Sequence, residues 1–280
     1  MFPNLGSQYH ILKEVGRGGS GIVWQAVDTY TGHLVAIKYL FSSAAAIPEV
    51  LEKFRIEANI YLMLSHKNIV ALKDFIVTKD NKHYLIMEFI DGNAIDDYMK
   101  KITNGAIPAE VAIALMKEIL QGLDYAHNMK IPIKGYNGVL HLDIKPSNIL
   151  ISNKGKIKII DYGISQGSNQ DRGDKIMGSP MYMAPEQLDL SQKIDHKTDI
   201  YSAGVLLYQM ITGVFPYGAT KDKEELFRHI KSKSVGKISN DIETKFPLIQ
   251  NIIDTATEKN PNNRYQSCEE FLSDLNLISS

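Results

Sequence analysis

The sequence predicts an α+β fold in which a small antiparallel β-sheet with one main helix precedes a larger, mainly helical part. Two observations support this prediction. Residues from about 8 to 88 form short β-rich runs separated by turn residues, with a single helical stretch among them. Beyond Asp91-Gly92 the apolar residues recur at helical spacing over long segments. A chain of 280 residues is long enough to form both parts.

The first part contains five predicted strands, each a run rich in β-branched and aromatic residues. The pairs Thr31-Gly32 and Asp80-Asn81 suit tight turns between neighbouring strands. One helix, from Pro48 to Leu64, interrupts the strands because its apolar residues recur near helical spacing. The predicted strands are Ile11–Val15, Ile22–Val27, Leu34–Leu40, Ile69–Val77 and His83–Phe89.

The second part is predicted to be mainly helical, with a strand pair at Ile149–Ser152 and Lys156–Ile160. The longest uncharged run, from Tyr201 to Phe215, is too short to span a bilayer and contains Gln209, so it is interpreted as a buried core helix. The predicted helices are Pro108–His127, Asp199–Thr212, Glu224–Lys233, Phe246–Glu258 and Ser267–Ile278.

Composition excludes several classes of function. A net charge of -1 gives no basis for nucleic-acid binding, and no segment indicates membrane insertion. The only cysteine, Cys268, rules out an intrachain disulfide and fits a reducing compartment. The N-terminus lacks the pattern of a secretory signal. The chain is therefore expected in the cytoplasm of the producing cell, with delivery into another cell as a translocated effector left as the alternative.

A glycine-rich segment, Gly16-Arg17-Gly18-Gly19-Ser20-Gly21, lies between the first two predicted strands. Glycines let backbone N–H groups approach phosphate oxygens closely, which suits a flap over phosphates. A strand on both sides argues against a dinucleotide-binding motif, because that motif needs a helix to follow. A flexible hairpin without a ligand is the alternative.

Lys38 lies in the apolar run Val35-Ala36-Ile37-Lys38 of the third strand. Alternation along the strand puts Ala36 and Lys38 on one face, where the small Ala36 leaves room for a flat ring and Lys38 can reach phosphates. An unpaired buried charge is costly, so Lys38 needs a partner, and Glu57 in the predicted helix is the best candidate. The alternative is a strand lysine with its ammonium group in solvent.

The segment His141-Leu142-Asp143-Ile144-Lys145-Pro146-Ser147-Asn148 places an acid, a lysine and an amide at a spacing that suits phosphoryl transfer. The acid can orient a hydroxyl group and the amide oxygen can hold a metal ion. A further acid follows the predicted strand pair in Asp161-Tyr162-Gly163.

The glycine-rich segment, the strand with Lys38, the helix with Glu57 and the segments around Asp143 and Asp161 follow one another as they do in the protein kinase family, which they resemble. Three further segments also resemble that family, namely Ser65–Val70, Met87–Gly92 and Gly178–Glu186. The resemblance covers about residues 9–277. It implies one bilobal kinase domain over residues 1–280, with an N-lobe at about 8–87, a hinge at about 88–92 and a C-lobe at about 93–278. Lys145-Pro146 resembles the serine/threonine branch.

The resemblance implies ATP with Mg²⁺, or Mn²⁺, and assigns roles to particular residues. Asp143 would orient the acceptor hydroxyl, while Lys38 and Lys145 would contact phosphates. Glu57 would hold Lys38. The implied metal ligands are Asn148 and Asp161. The implied contacts of ATP are Gly16, Arg17, Gly18, Gly19, Ser20, Gly21, Val23, Ala36, Lys38, Met87, Glu88, Ile90 and Leu150.

Three structural residues are also implied by the resemblance. Glu186 is expected to pair with Arg264, and Asp199 is expected to hold the backbone of the segment that contains Asp143. Loss of one member of such a buried ion pair would leave the other charge unmatched.

Two departures from the family pattern concern regulation. Leu142 replaces the arginine that usually receives a phosphate on the activation segment, so activity is predicted not to require phosphorylation at the serines of this segment. Extra residues around 130–138 are interpreted as a tolerated surface loop, with a docking segment as the alternative. The serines are Ser165, Ser168 and Ser179, and the alternative phosphate receptors are Lys53, Arg55, Arg172 and Lys175.

The sequence thus predicts a serine/threonine protein kinase that transfers the γ-phosphoryl group of ATP to a protein substrate. A pseudokinase that only binds nucleotide or a partner is one alternative, and a kinase-like enzyme acting on a small molecule is the other. The residues implied in the chemistry are all present, which favours the first interpretation. The regulator is not predicted.

Overall fold

The structure is a computed structural model that describes residues 5, 7–101, 105–130, 138–162, 166–167, 178–218, 220 and 222–278. It divides into two units. The first contains the described residues up to Asp91 together with Asp161 and Tyr162, and the second contains the others, from Gly92 onward. A β-sheet dominates the first unit and helices dominate the second, which confirms the predicted α+β class.

An antiparallel sheet of five strands, in the order β1-β2-β3-β5-β4, forms the frame of the first unit. The predicted strands are present, and the short helix α1 was not predicted because four residues show no periodicity. The elements are β1 (Tyr9–Arg17), β2 (Gly21–Asp28), β3 (Leu34–Leu40), α1 (Ser42–Ala45), α2 (Pro48–Met63), β4 (Leu72–Val77) and β5 (His83–Glu88).

The two faces of this sheet have different roles. Trp24, Ile37 and Ile86 lie opposite one another on three adjacent strands and form part of a buried apolar cluster. Because side chains alternate along a strand, Ala36 and Lys38 project from the other face, as predicted. Burial of the first face thus fixes the register that orients Lys38.

His83, at the start of β5, is fully buried against the ring of Phe75, with 6.3 Å between the ring centroids. Neither imidazole nitrogen has a hydrogen-bond partner within the described part of the chain. Burial, and then the positive charge of Arg55, lower the pKa of His83 below its usual value. The folded protein therefore holds this imidazole in its neutral form.

This burial predicts a pH-dependent stability of the first unit. Below about pH 6.5 the unfolded chain takes up a proton on His83 more readily than the folded chain does, so stability falls as the solution is acidified. In His83→Leu, the loss of unfolding free energy between pH 7.5 and pH 5.5 should therefore be smaller than in the wild type. Urea unfolding, followed by the fluorescence of Trp24, measures the difference. The exposed His33→Leu is the control, and equal losses in both variants would contradict the prediction.

Helices make up most of the second unit, together with two small sheets in which β6 pairs with β8, β8 with β9, and β7 with β10. Helices α3 and α7 were not predicted, because α3 buries only two side chains and α7 none. The elements are β6 (Gly92–Ala94), α3 (Ile95–Lys101), α4 (Ala109–His127), β7 (Val139–Leu140), β8 (Ile149–Ser152), β9 (Ile157–Ile159), β10 (Gln166–Gly167), α5 (Lys197–Thr212), α6 (Lys223–Ser232), α7 (Asn240–Lys245), α8 (Ile249–Ala256) and α9 (Cys268–Leu277).

Two of these helices, α5 and α8, can be compared directly with the helices predicted from the sequence. Nearly every residue of α5 is buried, which confirms the interpretation of the uncharged run as a core helix. The predicted helix from Phe246 begins only at Ile249, because Leu248 adopts a left-handed conformation with φ of 73°.

None of the described helices is both long and apolar enough to cross a membrane. The extra segment at residues 131–137, and Ser165, Ser168, Arg172 and Lys175, lie outside the described residues.

Candidate active site

The glycine-rich segment forms the turn between β1 and β2 in the first unit. The turn is closed by the N–H of Gly18, which donates to the carbonyl oxygen of Gly21 at 2.9 Å. A Cβ atom at Gly21 would collide with the carbonyl oxygen of Tyr39, whereas one at Gly18 or Gly19 would meet nothing within 4 Å. Glycine is therefore needed at Gly21 for packing, while Gly18 and Gly19 leave open space beside the backbone.

Lys38 is the centre of the charged cluster in this unit. Its Nζ lies 2.6 Å from Oε1 of the buried Glu57 and 3.1 Å from Oδ1 of Asp161, so the predicted ion pair with Glu57 is present. Burial alone would lower the pKa of Lys38, but the charges of Glu57 and Asp161 outweigh it and raise that pKa. Lys38 therefore keeps its positive charge at neutral pH.

Asp161 is held in an unusual backbone conformation, with φ of 66°. Its N–H donates to the hydroxyl oxygen of Tyr61 at 2.7 Å, and Tyr61 packs edge-on against Tyr162 with 5.6 Å between the ring centroids. Left-handed conformations cost about 1–2 kcal/mol in residues other than glycine. The contact with Tyr61 helps to offset this cost and leaves the Asp161 carboxylate nearly half exposed.

Most residues implied in adenine binding lie on the same sheet of the first unit. Ala36 lies opposite Met87 in the ladder between β3 and β5, and Val23 lies opposite Lys38 in the ladder between β2 and β3. The N–H of Glu88 already donates to the carbonyl oxygen of Ala71. Ile90 makes no hydrogen bond to any other described residue, so its main-chain groups are available to a ligand.

The second unit contains Leu150, the remaining residue implied in adenine binding. Leu150 is half-buried in β8, where it lies opposite Ala94 on one side and Lys158 on the other. The structure thus presents Leu150 on the small sheet that follows the segment around Asp143.

Asp143 accepts hydrogen bonds on both oxygens of its carboxylate. Oδ1 accepts from the N–H of Ser179 at 2.8 Å, and Oδ2 accepts from Nζ of Lys145 at 2.7 Å and from Nδ2 of Asn148 at 3.1 Å. Lys145 also donates to the Ser179 hydroxyl at 2.7 Å. These contacts fix the carboxylate while part of its surface remains open to solvent.

The backbone of the segment that contains Asp143 is held by hydrogen bonds to Asp199 in α5. The Asp199 carboxylate, which is completely buried, accepts from the N–H groups of His141 at 2.8 Å and Leu142 at 2.7 Å, as predicted. Burial would raise the pKa of Asp199, but the hydrogen bond from His127 and the other donors lower it overall. A charged Asp199 thus stabilises Leu142 in its left-handed conformation, with φ of 65°.

Leu142 itself is buried in a small apolar cluster with Leu140 and Ile194. An arginine at this position could receive a phosphate group, whereas Leu142 contributes only packing. The side chain of Gln187 reaches the same loop: its Nε2 donates to the Leu142 carbonyl oxygen at 3.4 Å, and its Oε1 accepts from the N–H of Ala184.

The predicted pair of Glu186 and Arg264 is present and fully buried. Arg264 donates from Nη1 and Nη2 to the two carboxylate oxygens of Glu186, at 2.6 and 2.7 Å. Its three other N–H bonds point to the carbonyl oxygens of Lys197, Glu258 and Lys259. All five donors of the guanidinium group are satisfied, as a buried arginine requires.

A cavity of about 300 Å³ adjoins Lys145 in the second unit. Its wall includes Met99, Pro146 and Tyr182, and the Tyr182 hydroxyl donates to Oε1 of Gln209 at 2.6 Å. The cavity therefore offers apolar surface and the side-chain amide of Gln209 close to Lys145, which contacts Asp143.

Each unit offers one oxygen donor of the kind that a divalent metal ion prefers. Nδ2 of Asn148 donates to the carbonyl oxygen of Asp143, at 2.9 Å, so Oδ1 of Asn148 takes no part in that hydrogen bond. In the first unit, the Asp161 carboxylate is accessible. An amide oxygen and a carboxylate oxygen are the hard ligands that Mg²⁺ and Mn²⁺ prefer.

Sequence reasoning missed Ser179, Gln187 and His127 as supports of the segment His141–Asn148. The sequence places Ser179 in the segment Gly178–Glu186 and among the serines of the activation segment, but it does not indicate that both its N–H and its hydroxyl group contact the cluster around Asp143. No short motif predicts these contacts, because each depends on residues more than thirty positions apart in the chain.

A family model described as "Protein kinase domain" matches residues 9–275. A probable serine/threonine-protein kinase of Clostridium perfringens is 33% identical over 278 residues, which are 98% of this chain and 38% of that protein. The probable serine/threonine-protein kinase PknB of Lactococcus lactis is 33% identical over 98% of this chain and 42% of its own length. PrkC of Bacillus subtilis, a serine/threonine-protein kinase, is 31% identical over 97% of this chain and 40% of its own length. The chain thus spans about two fifths of the length of these relatives.

Proposed function

Because the chain belongs to the protein kinase family, we propose that it transfers the γ-phosphoryl group of ATP to serine or threonine hydroxyls of a protein substrate. The single observation that supports this most strongly is the fixed carboxylate of Asp143. Three donors hold it, Lys145 lies beside it at 2.7 Å, and it remains partly accessible. A carboxylate in this setting can orient an acceptor hydroxyl and receive its proton.

The other charged residues have distinct proposed roles. Lys38, which Glu57 keeps in place, binds phosphate oxygens of ATP. Lys145 offsets negative charge on the transferred group, since its ammonium already lies next to Asp143. Asn148 and, separately, Asp161 are proposed ligands of Mg²⁺ or Mn²⁺. The bound metal ion would neutralise charge on the triphosphate.

The glycine-rich turn and the sheet face around Ala36 are proposed to bind the rest of the nucleotide. Open space beside Gly18 and Gly19 allows N–H groups to approach phosphates, and the free main chain of Ile90 can pair with the adenine edge. The cavity beside Lys145 is proposed to receive part of the protein substrate, because it adjoins the residue that contacts Asp143.

The function is tested by incubating the protein with Mg-ATP and a mixture of unrelated proteins, followed by phosphopeptide mass spectrometry. The matched control is Asp143→Asn, which keeps the size and most hydrogen-bonding capacity of the side chain. Phosphate on serine or threonine with the wild type alone is the expected result. ATP binding without phosphate on any protein would contradict the proposal and favour a pseudokinase. ADP release that requires an added small alcohol would favour a small-molecule phosphotransferase.

Activity is further proposed not to depend on phosphorylation of Ser179. Its hydroxyl oxygen accepts from Lys145 and its N–H donates to Asp143, so the unmodified serine already completes the site. A phosphate here would add negative charge beside the Asp143 carboxylate and withdraw Lys145 from it. Ser179→Asp should therefore be inactive, whereas Ser179→Ala should lower kcat only about two- to tenfold.

The measurement is steady-state turnover of protein prepared with and without phosphatase treatment. Phosphatase-treated protein should turn over at least as fast as untreated protein, and Ser179→Thr should retain more activity than Ser179→Ala because it keeps the hydroxyl. An inert dephosphorylated protein that regains turnover when Ser179 is phosphorylated would contradict this proposal.

A further inference from the structure

A line of three side chains in the second unit leads from a buried thiol to the catalytic segment. Sγ of Cys268, the first residue of α9, lies 3.5 Å from Nδ1 of His127 at the end of α4. Nε2 of His127 lies 2.8 Å from Oδ2 of Asp199 in α5. Three helices that are distant in the sequence therefore meet through consecutive polar contacts.

The contacts of His127 determine what each ring nitrogen does. Asp199 also accepts from the N–H groups of His141 and Leu142, so its carboxylate is the acceptor in every one of these contacts. Nε2 of His127 must then carry the hydrogen. In a neutral ring, Nδ1 is left as an acceptor, and the Sγ–H group of Cys268 is the donor that faces it.

The thiol is in a suitable state to donate. A position at the start of a helix normally favours the thiolate, but burial raises the pKa of Cys268 well above its usual value, and the charges of Asp124 and Asp199 add to this effect. Cys268 is buried and is not expected to act as a nucleophile.

Building on the proposed kinase function, we propose that Cys268 is a positioning residue for phosphoryl transfer. Its thiol donates to Nδ1 of His127 and selects the ring form that donates from Nε2 to Asp199, which in turn holds the two residues before Asp143. Without the thiol, Nδ1 of His127 can accept a hydrogen bond from water or can itself carry the hydrogen, so the ring form that donates from Nε2 is no longer selected. Asp199 then loses a fixed donor, and the left-handed backbone at Leu142 is held less firmly.

The test compares Cys268→Ser, which keeps a donor, with Cys268→Ala, which removes it. Nitrogen-15 NMR of histidine-labelled protein reports which ring nitrogens carry hydrogen, and His127→Gln identifies the His127 signals among the eight histidines. Kinase assays give kcat and KM for ATP, and circular dichroism shows that each variant is folded. Leu275→Val in the same helix is the packing control, because it removes one buried methylene group far from the thiol along α9.

The wild type and Cys268→Ser should show hydrogen on Nε2 alone, and Cys268→Ala should not. The Ala variant should lose about two- to tenfold in kcat, with KM for ATP unchanged, while the Ser variant should recover the loss and Leu275→Val should show neither change. Hydrogen on both ring nitrogens in the wild type, or an Ala variant with the wild-type ring signal and kcat, would overturn the proposal. Because the NMR signal does not require turnover, an inactive wild type with the expected signal would contradict the kinase function and support the Cys268 contact.

Discussion

Lys38→Met is expected to reduce phosphoryl transfer about 10²- to 10³-fold, as removal of a preorganised charge from an active site commonly does. Methionine has nearly the same length as lysine but carries no charge. The ammonium group of Lys38 is held by Glu57 at 2.6 Å and Asp161 at 3.1 Å, so it is positioned before any nucleotide binds. Steady-state assays with Mg-ATP and a phosphorylated product identified by mass spectrometry measure the loss.

Stability must be separated from chemistry in this experiment. Lys38→Met leaves Glu57 buried without its ammonium partner, so the variant is also expected to be less stable. The double variant Lys38→Met with Glu57→Gln removes both charges and should recover most of the lost stability but none of the turnover. Trp24, the only tryptophan, lies in the first unit and reports its unfolding by fluorescence. Substantial turnover in a folded Lys38→Met protein would contradict the role proposed for Lys38.

The sequence was sufficient to predict charged contacts wherever burial left a side chain only one reasonable partner. Lys38 in an apolar strand required a counter-ion, and the helix that follows offered Glu57. The pair of Glu186 with Arg264, and the support from Asp199, followed from the family resemblance. In each case the pattern of residues is local enough to recognise, although the contact itself spans a large distance in sequence.

The contacts that escaped prediction depend on backbone conformation. Leu142 and Asp161 have φ of 65° and 66°. Leucine rarely adopts this conformation, and aspartate adopts it in only a small minority of cases, so neither residue type predicts it. Both are maintained by groups far along the chain, namely the Asp199 carboxylate and the Tyr61 hydroxyl. Leu248 also has a positive φ, which ended a predicted helical run. Tertiary contacts, which no local pattern encodes, hold Leu142 and Asp161 in their conformations.

Arg264→Met is expected to destabilise the second unit by about 3–5 kcal/mol, because it leaves the buried carboxylate of Glu186 without its partner. The pair is almost completely inaccessible to solvent, and the Thr198 hydroxyl, 3.0 Å from Oε1, is a neutral donor that cannot replace the charge of Arg264. Urea unfolding followed by far-ultraviolet circular dichroism is the appropriate measurement, since most helices belong to this unit. The exposed pair of Lys245 and Glu110 provides the control, and Lys245→Met should change stability by less than about 0.5 kcal/mol.

A double-mutant cycle distinguishes the charge effect from the lost backbone contacts. Glu186→Leu combined with Arg264→Met removes both charges, so the double variant should be more stable than the sum of the two single losses predicts. Recovery will be incomplete, because the carbonyl oxygens of Lys197, Glu258 and Lys259 lose their arginine donors in every Arg264 variant. Additive losses in the cycle would show that Arg264 stabilises the unit through these carbonyl groups and that Glu186 contributes independently. A positive coupling of about 1 kcal/mol or more would instead show that the interaction between Glu186 and Arg264 itself stabilises the second unit.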